Sequence, residues 1–142
     1  MAFNVEALCE HLDSLVATSV AEVIMNNHEY RIGKRNAELL RTQKPEATVQ
    51  EVIEQLSRAE RQVGIGVVKV TLPRESTGAI DIEITNPCVK RTAGTAKALL
   101  ATNWCGVLSS LFGGDFEAGN LTYHEAKNKI TCKLSARRVR QT

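Results

Sequence analysis

Apolar residues recur at three- and four-residue intervals through Val5, Leu8, Leu12, Leu15, Val16, Val20, Val23 and Ile24. That spacing lays an oily stripe along a helix. Asn4 stands where it can cap this helix, and Glu6 falls in the first turn, where the helix dipole favours a carboxylate. Asn26-Asn27-His28 reads as a terminator. A second, more basic helix is then expected over Glu29 to Thr42, with Gly33 weakening its middle. Lys44-Pro45 breaks the pattern, and Thr48-Val49-Gln50-Glu51 reads as a capping box. It opens a third helix with Val49, Val52, Ile53 and Leu56 on one face, ending at Gly64.

The rhythm then changes. Ile65 to Leu72 is short and β-branched and stops at Pro73. Ala79 to Thr85 alternates apolar and polar without a fault, as a strand with one dry and one wet face does. The polar connection Pro73 to Gly78 makes these an antiparallel hairpin. From Thr95 the helical period returns in Ala96, Leu99, Leu100, Asn103, Trp104, Val107, Leu108 and Leu111, until Gly113-Gly114. A second hairpin is expected from Phe116 to Glu125 and Lys129 to Ala136, turning at Lys127-Asn128. The predicted fold is therefore α+β: three N-terminal helices, then a central antiparallel sheet of about four strands with one helix between two hairpins.

Length and composition agree with one domain over residues 1–142. The net charge of +2, from 18 basic and 16 acidic residues, gives no field that points to nucleic acid or an anionic membrane. Arg137, Arg138 and Arg140 read as solvated tail charge. No apolar run approaches the ~20 residues that span a bilayer, and Met1 to Glu10 has no basic residue of the kind a secretory signal uses. A cytoplasmic setting is expected, with Cys9, Cys88, Cys105 and Cys132 as thiols. No Cys-x-x-Cys occurs.

Three segments together resemble a known family: Asn86-Pro87, the helix carrying Trp104-Cys105-Gly106-Val107-Leu108-Ser109-Ser110-Leu111-Phe112-Gly113, and the hairpin ending Cys132-Lys133-Leu134. They look like the 4-vinyl-reductase-like domain, also described as a predicted hydrocarbon-binding domain and similar in fold to the Bet-type subunits of the TRAPP trafficking complex. Gly64-Ile65-Gly66-Val67-Val68 after a helix-rich front suits it too. The resemblance implies a central antiparallel sheet, helices on one side and an apolar cavity between them. It also implies dimerisation through helices and roles as sensor, chaperone or scaffold, whereas a reductase activity does not follow from the fold. The family hairpin commonly carries two cysteines about eight residues apart; here Cys132 fills the second place and the first falls on or near His124.

A His124–Cys132 pair has the right donors for zinc, but hairpin register decides whether the two meet. A turn centred on Lys127-Asn128 pairs Glu125 with Ile130, Tyr123 with Cys132 and Leu121 with Leu134, and sends His124 to the other face beside Thr131. His11, His28 and His124 are scattered, and no Ser-His-Asp order emerges. Asp81 and Glu83 alternate with isoleucines and read as a solvated face; Cys88, beside Lys90 and Arg91, reads as an ordinary loop thiol.

Trp104 is the only tryptophan, in a chain with 4% aromatic residues, so it supplies an unusual share of large apolar surface. The expected ligand-binding residues are Leu100, Trp104, Leu108, Phe112 and Tyr123. The chain thus reads as a module that binds a hydrophobic small molecule (lipid, hydrocarbon or tetrapyrrole-like) as sensor, carrier or assembly unit, rather than as an enzyme. Its first helix is the expected homodimer element, and no cofactor is named by the sequence. The alternatives are an interaction subunit with a self-filled interior, and a metal-dependent sensor or enzyme using Cys132 and His124.

Overall fold

The structure, a computed structural model, describes residues 18–73, 78–87 and 94–136. The first part of the helix expected over Val5 to Ile24, Cys9, Cys88 and most of the Pro73–Gly78 connection lie outside them. Helix α1 spans Thr18–Gln43 and α2 spans Val49–Gln62. Strands β1 (Val67–Thr71) and β2 (Ile80–Thr85) follow, then α3 (Gly94–Phe112) and strands β3 (Phe116–His124) and β4 (Lys129–Ala136). The fold is α+β, with one antiparallel sheet in the order β1-β2-β4-β3.

Local signals place the ends of α2. The Thr48 hydroxyl accepts the Glu51 amide at 3.1 Å, as the capping box requires. At the other end the Ile65 amide donates to the Glu60 carbonyl and the Gly64 amide to Arg61, with Gly64 at φ 84°. Those two bonds and the left-handed glycine turn the chain off the helix and into β1.

The alternation in β2 does what it predicts. Ile80, Ile82 and Ile84 are buried while Asp81 is exposed; Glu83 sits 3.7 Å from Lys129 on the wet face. Ile130, Cys132 and Leu134 of β4 continue the dry face, and Trp104, Leu108 and Leu100 of α3 pack onto it. Helix α2 packs on β1 and touches α1, and α1 packs chiefly on α3.

Two expectations give way. The chain does not stop at Asn26-Asn27-His28: α1 runs through them for 26 residues, so one helix stands where a break between two was expected. Asparagine costs a helix less than about 1 kcal/mol per residue, which packing along α3 outweighs. Gly33 is the reason that packing is so close. A Cβ there would collide with the Asn103 carbonyl oxygen and lie 2.8 Å from its carbon. One at Gly106 would strike the Tyr30 carbonyl and come within 2.8 Å of the Lys34 amide. Two glycines facing each other's helix let backbone touch backbone.

The second hairpin turns one residue earlier than expected, which moves the pairings next to the turn by two positions. Tyr123 pairs with Ile130 and His124 with Lys129, across a four-residue loop of one 3-10 turn (Glu125–Lys127) and Asn128 at φ 46°. A two-residue turn asks for left-handed geometry at two successive positions; this loop asks it only of Asn128. Leu121 does not meet Leu134, because an extra residue is taken up between Gly119 and Thr122 and Ala118 holds that place. Next to the turn the two-residue displacement leaves the faces unchanged, and Ile130, Cys132 and Leu134 share the buried face; beyond the extra residue the offset is three.

Candidate functional site

Helices α1 and α3 run alongside each other in the same direction: Asn26 meets Thr102, Tyr30 meets Gly106 and Arg41 meets Ser110. Strand β3 is an edge strand. Between this helix pair and the start of β3 a cleft of about 480 Å³ opens to the surface. Its floor is Ala101 and Cys105 of α3 with Phe116 of β3, all buried. Ala118 and Leu121 continue it along β3, the latter 37% exposed.

The walls are polar. Asn26, Asn27 and Tyr30 come from α1, and Thr102 from α3. The Thr102 hydroxyl donates to Asn26 Oδ1 at 3.0 Å. Opposite them stand Asp115 and Glu117. Gly113 and Gly114, at φ 77° and 76°, reverse the chain at the end of α3, and Asp115 follows directly. The Tyr30 hydroxyl then donates to Asp115 Oδ1 at 3.1 Å, tying α1 to that turn across the cleft. A concave space with an apolar floor and a few fixed polar groups has the form of a small-molecule site. A shallower depression of about 270 Å³ elsewhere is walled by Lys44, Gln55, Arg58, Ala59 and Gln62 and offers almost no apolar floor.

None of the five residues expected to bind ligand is among the residues that line this cleft. Leu100, Trp104 and Leu108 point into the packed interior, at 7%, 1% and 0% exposure. Phe112 is 48% exposed, its ring centroid 6.2 Å from that of Phe116. Tyr123 is partly buried and donates its hydroxyl to Asn128 Oδ1 at 2.7 Å. The cleft uses the neighbouring stripe of α3, one residue along: Ala101, Thr102 and Cys105. Small side chains four apart on α3 opposite an asparagine pair on α1 are the pattern that marks it in the sequence.

Behind the cleft, α3 carries a polar seam. The Trp104 indole N–H donates to Glu60 Oε2 at 3.1 Å, and Asn103 Nδ2 donates to Glu29 Oε2 at 3.2 Å. Burial pushes the Glu60 carboxyl up to about 7; the indole bond opposes that and the Glu29 carboxylate adds to it. Glu29 is raised as well, by burial, against the pull of Asn103 and His28.

His124 and Cys132 point to opposite faces. His124 Nε2 lies 2.9 Å from Thr131 Oγ1 on the outer face, beside Thr131 as the sequence implied. Cys132 is 3% exposed, and burial, followed by the charge of Asp81, pushes its thiol up to about 11. A metal ligand needs the thiolate, and this thiol resists forming it. Among the described residues no group of three His, Cys, Asp or Glu is placed to hold a metal, and no helix is long and apolar enough to cross a membrane.

No family profile and no curated protein matches the chain. Solved structures do. One is the phenol-responsive sensory domain of the transcription activator PoxR, solved with phenol, at a TM-score of 0.69 and 14% identity over 96% of this chain and 76% of that one. Another is a vinyl-4-reductase family protein from Methanocaldococcus jannaschii, at a TM-score of 0.51 and 17% identity over 75% of this chain and 66% of that one. At these identities the likeness is one of fold, and the chain has the 4-vinyl-reductase-like fold.

Proposed function

We propose that this chain is a binding module for a hydrophobic small molecule, serving as sensor, carrier or assembly unit, and that the cleft between α1, α3 and β3 is its site. The observation that carries the proposal is the roughly 480 Å³ space with buried Ala101, Cys105 and Phe116 beneath it and polar groups fixed at its rim. Sharing a fold with a phenol-responsive sensory domain supports small-molecule sensing. Leu100, Trp104 and Leu108 serve this site from behind, by holding α3 on the sheet.

Native mass spectrometry of the gently purified protein, together with thermal denaturation against lipids, tetrapyrroles and simple aromatics, tests it. A ligand at a hundred times its Kd stabilises by about 2.7 kcal/mol, a shift readily measured. Ala118→Trp, which fills the cleft from an exposed strand position, should abolish the shift. A protein that carries nothing and gains no stability from any class refutes the reading. The proposed homodimer rests on α1, where Val23 and Ile24 are 61% and 56% exposed. Sedimentation of the protein and of Val23→Asp/Ile24→Asp tests it: a monomer at every concentration removes that part alone.

A further inference from the structure

We infer that Glu29 and Glu60 form a proton-operated clasp on the helix layer, which holds α1 and α2 to α3 while the acids are neutral and slackens the cleft wall when they ionise. The clasp needs no ligand; its control of binding rests on the proposed function. The two carboxyls come from different helices and meet adjacent residues of a third. Glu29 Oε2 of α1 accepts Asn103 Nδ2 at 3.2 Å, and Glu60 Oε2 of α2 accepts the Trp104 indole N–H at 3.1 Å. Both acids are half-buried, and each has a single side-chain donor, which is uncharged. An ionised carboxylate has about four acceptor sites to satisfy, so one neutral donor leaves the charge poorly paid for its lost water. Among the described residues neither acid has an ion pair.

The surroundings of Glu60 oppose its charge from every side. It lies in the last turn of α2, the negative end of that helix. From α1 it faces the Glu29 carboxylate, and from α3 only the indole. Strand β1, on which α2 packs, turns Val68 and Val70 inward and carries Lys69 on the exposed face, in register with Glu83. Glu29 in turn faces Asn103 from α3 and the charge of His28 on its own helix. Burial holds the Glu60 proton up to about 7, so the clasp is closed in acid and opens as pH rises through neutrality. Its position gives that opening a consequence. The Glu60 carbonyl accepts the Ile65 amide at the turn into β1. Glu29 is followed by Tyr30, which ties α1 to Asp115, and Asn103 follows Thr102, which bonds Asn26. A carboxylate that turns out to water lets go of α3 one residue from the cleft wall.

Resonances of the whole, ligand-free chain, followed by NMR from acid to alkaline pH, test the inference. The Trp104 indole N–H and the backbone amides of Asn26, Asn27 and Tyr30 should shift together in one step with a midpoint of about 7. Glu60→Gln should abolish that step at all four and hold the cleft in its acid form. Glu29→Gln, which removes the neighbouring charge, should lower the midpoint. Histidines titrate in the same range, so His28→Gln is the control and should keep the step. Exchange of the Ile65 amide, corrected for its intrinsic rate, should quicken at least about threefold above the midpoint in the parent and stay level in Glu60→Gln. An indole signal that is flat through neutral pH, a step that survives Glu60→Gln, or cleft amides that stay still while the indole moves overturns the inference. No ligand enters the measurement, so a cleft that binds nothing leaves its outcome untouched.

Discussion

Replacing Glu60 with glutamine should make the protein more stable at alkaline pH and leave it nearly unchanged at acidic pH. The carboxyl lies in the last turns of α2 against the Trp104 indole, and its folded pKa is about 7 against an ordinary 4.5. Below about 4.5 the group is protonated in both states and makes no difference. Between the two values the unfolded chain has released the proton while the folded chain keeps it, so stability falls as pH rises. Above about 7 the loss is complete. The gap from 4.5 to about 7, at about 1.4 kcal/mol per pH unit, amounts to about 3 kcal/mol. Glutamine keeps an oxygen for the indole N–H and has no charge to bury.

Urea denaturation at pH 5, 6, 7 and 8 measures this directly. The variant and the parent should coincide within about 1 kcal/mol at pH 5 and part by up to about 3 kcal/mol at pH 8, roughly 10 °C in Tm. Taking the difference between the proteins removes most of the slope that Glu29, also raised by burial, gives the parent with the same sign, leaving only its weak coupling to Glu60. Trp104→Phe removes the one bond that steadies the charged form, so it should move the Glu60 midpoint upward besides loosening the core. Parallel pH profiles for parent and Glu60→Gln, or a variant less stable at pH 8 than its parent, refute the reasoning.

Gly33→Ala and Gly106→Ala, which in an exposed helix stabilise by about 1 kcal/mol, should here destabilise by several, because each Cβ meets backbone of the other helix; denaturant midpoints decide it. Asn128→Ala loses the left-handed preference and the bonds to Tyr123 and Asn86, and should cost about 2 kcal/mol, with Tyr123→Phe costing about 1. Cys132, buried and with its thiol raised to about 11, should resist iodoacetamide at pH 8 in the native state and react once unfolded, as peptide mapping will show.

The sheet was largely legible in the sequence because its signal is local. Alternation through Ile80, Ile82 and Ile84 fixes a dry face whatever the partner strand, and Gly113-Gly114 ends α3 by its own backbone. The turn at Asn128 escaped by one residue, since loop length depends on which residue takes the left-handed position, and asparagine, unlike glycine, announces that weakly. Asn26-Asn27 and Gly33 misled for a common reason. Each is unfavourable in an isolated helix and useful against α3: the glycine because it has no Cβ, the asparagines because they reach the cleft. The apolar stripe of Leu100, Trp104 and Leu108, expected to wall the pocket, is packed into the core with Ile82, Ile130 and Leu134. The described cleft lies over the adjacent stripe, where Ala101 and Cys105 are small.

That displacement follows from how closely the two helices meet. Glycine contact at Gly33 and Gly106 draws α1 onto α3 at the middle of their crossing. Further toward the start of α1, Asn26, Asn27 and Tyr30 stand over the small residues of α3 and face β3. Among the described residues no strand lies on the outer side of β3. Both walls are then anchored: one by backbone contact between helices, the other by the Tyr30–Asp115 bond to the turn before β3. A site whose walls are held before a ligand arrives loses little conformational freedom on binding, which favours discrimination by shape and charge over adaptation. Releasing one anchor at a time separates the two. Tyr30→Phe should leave folding nearly intact while broadening the cleft's amide resonances, whereas loss of the glycine contact should disturb the whole helix pair.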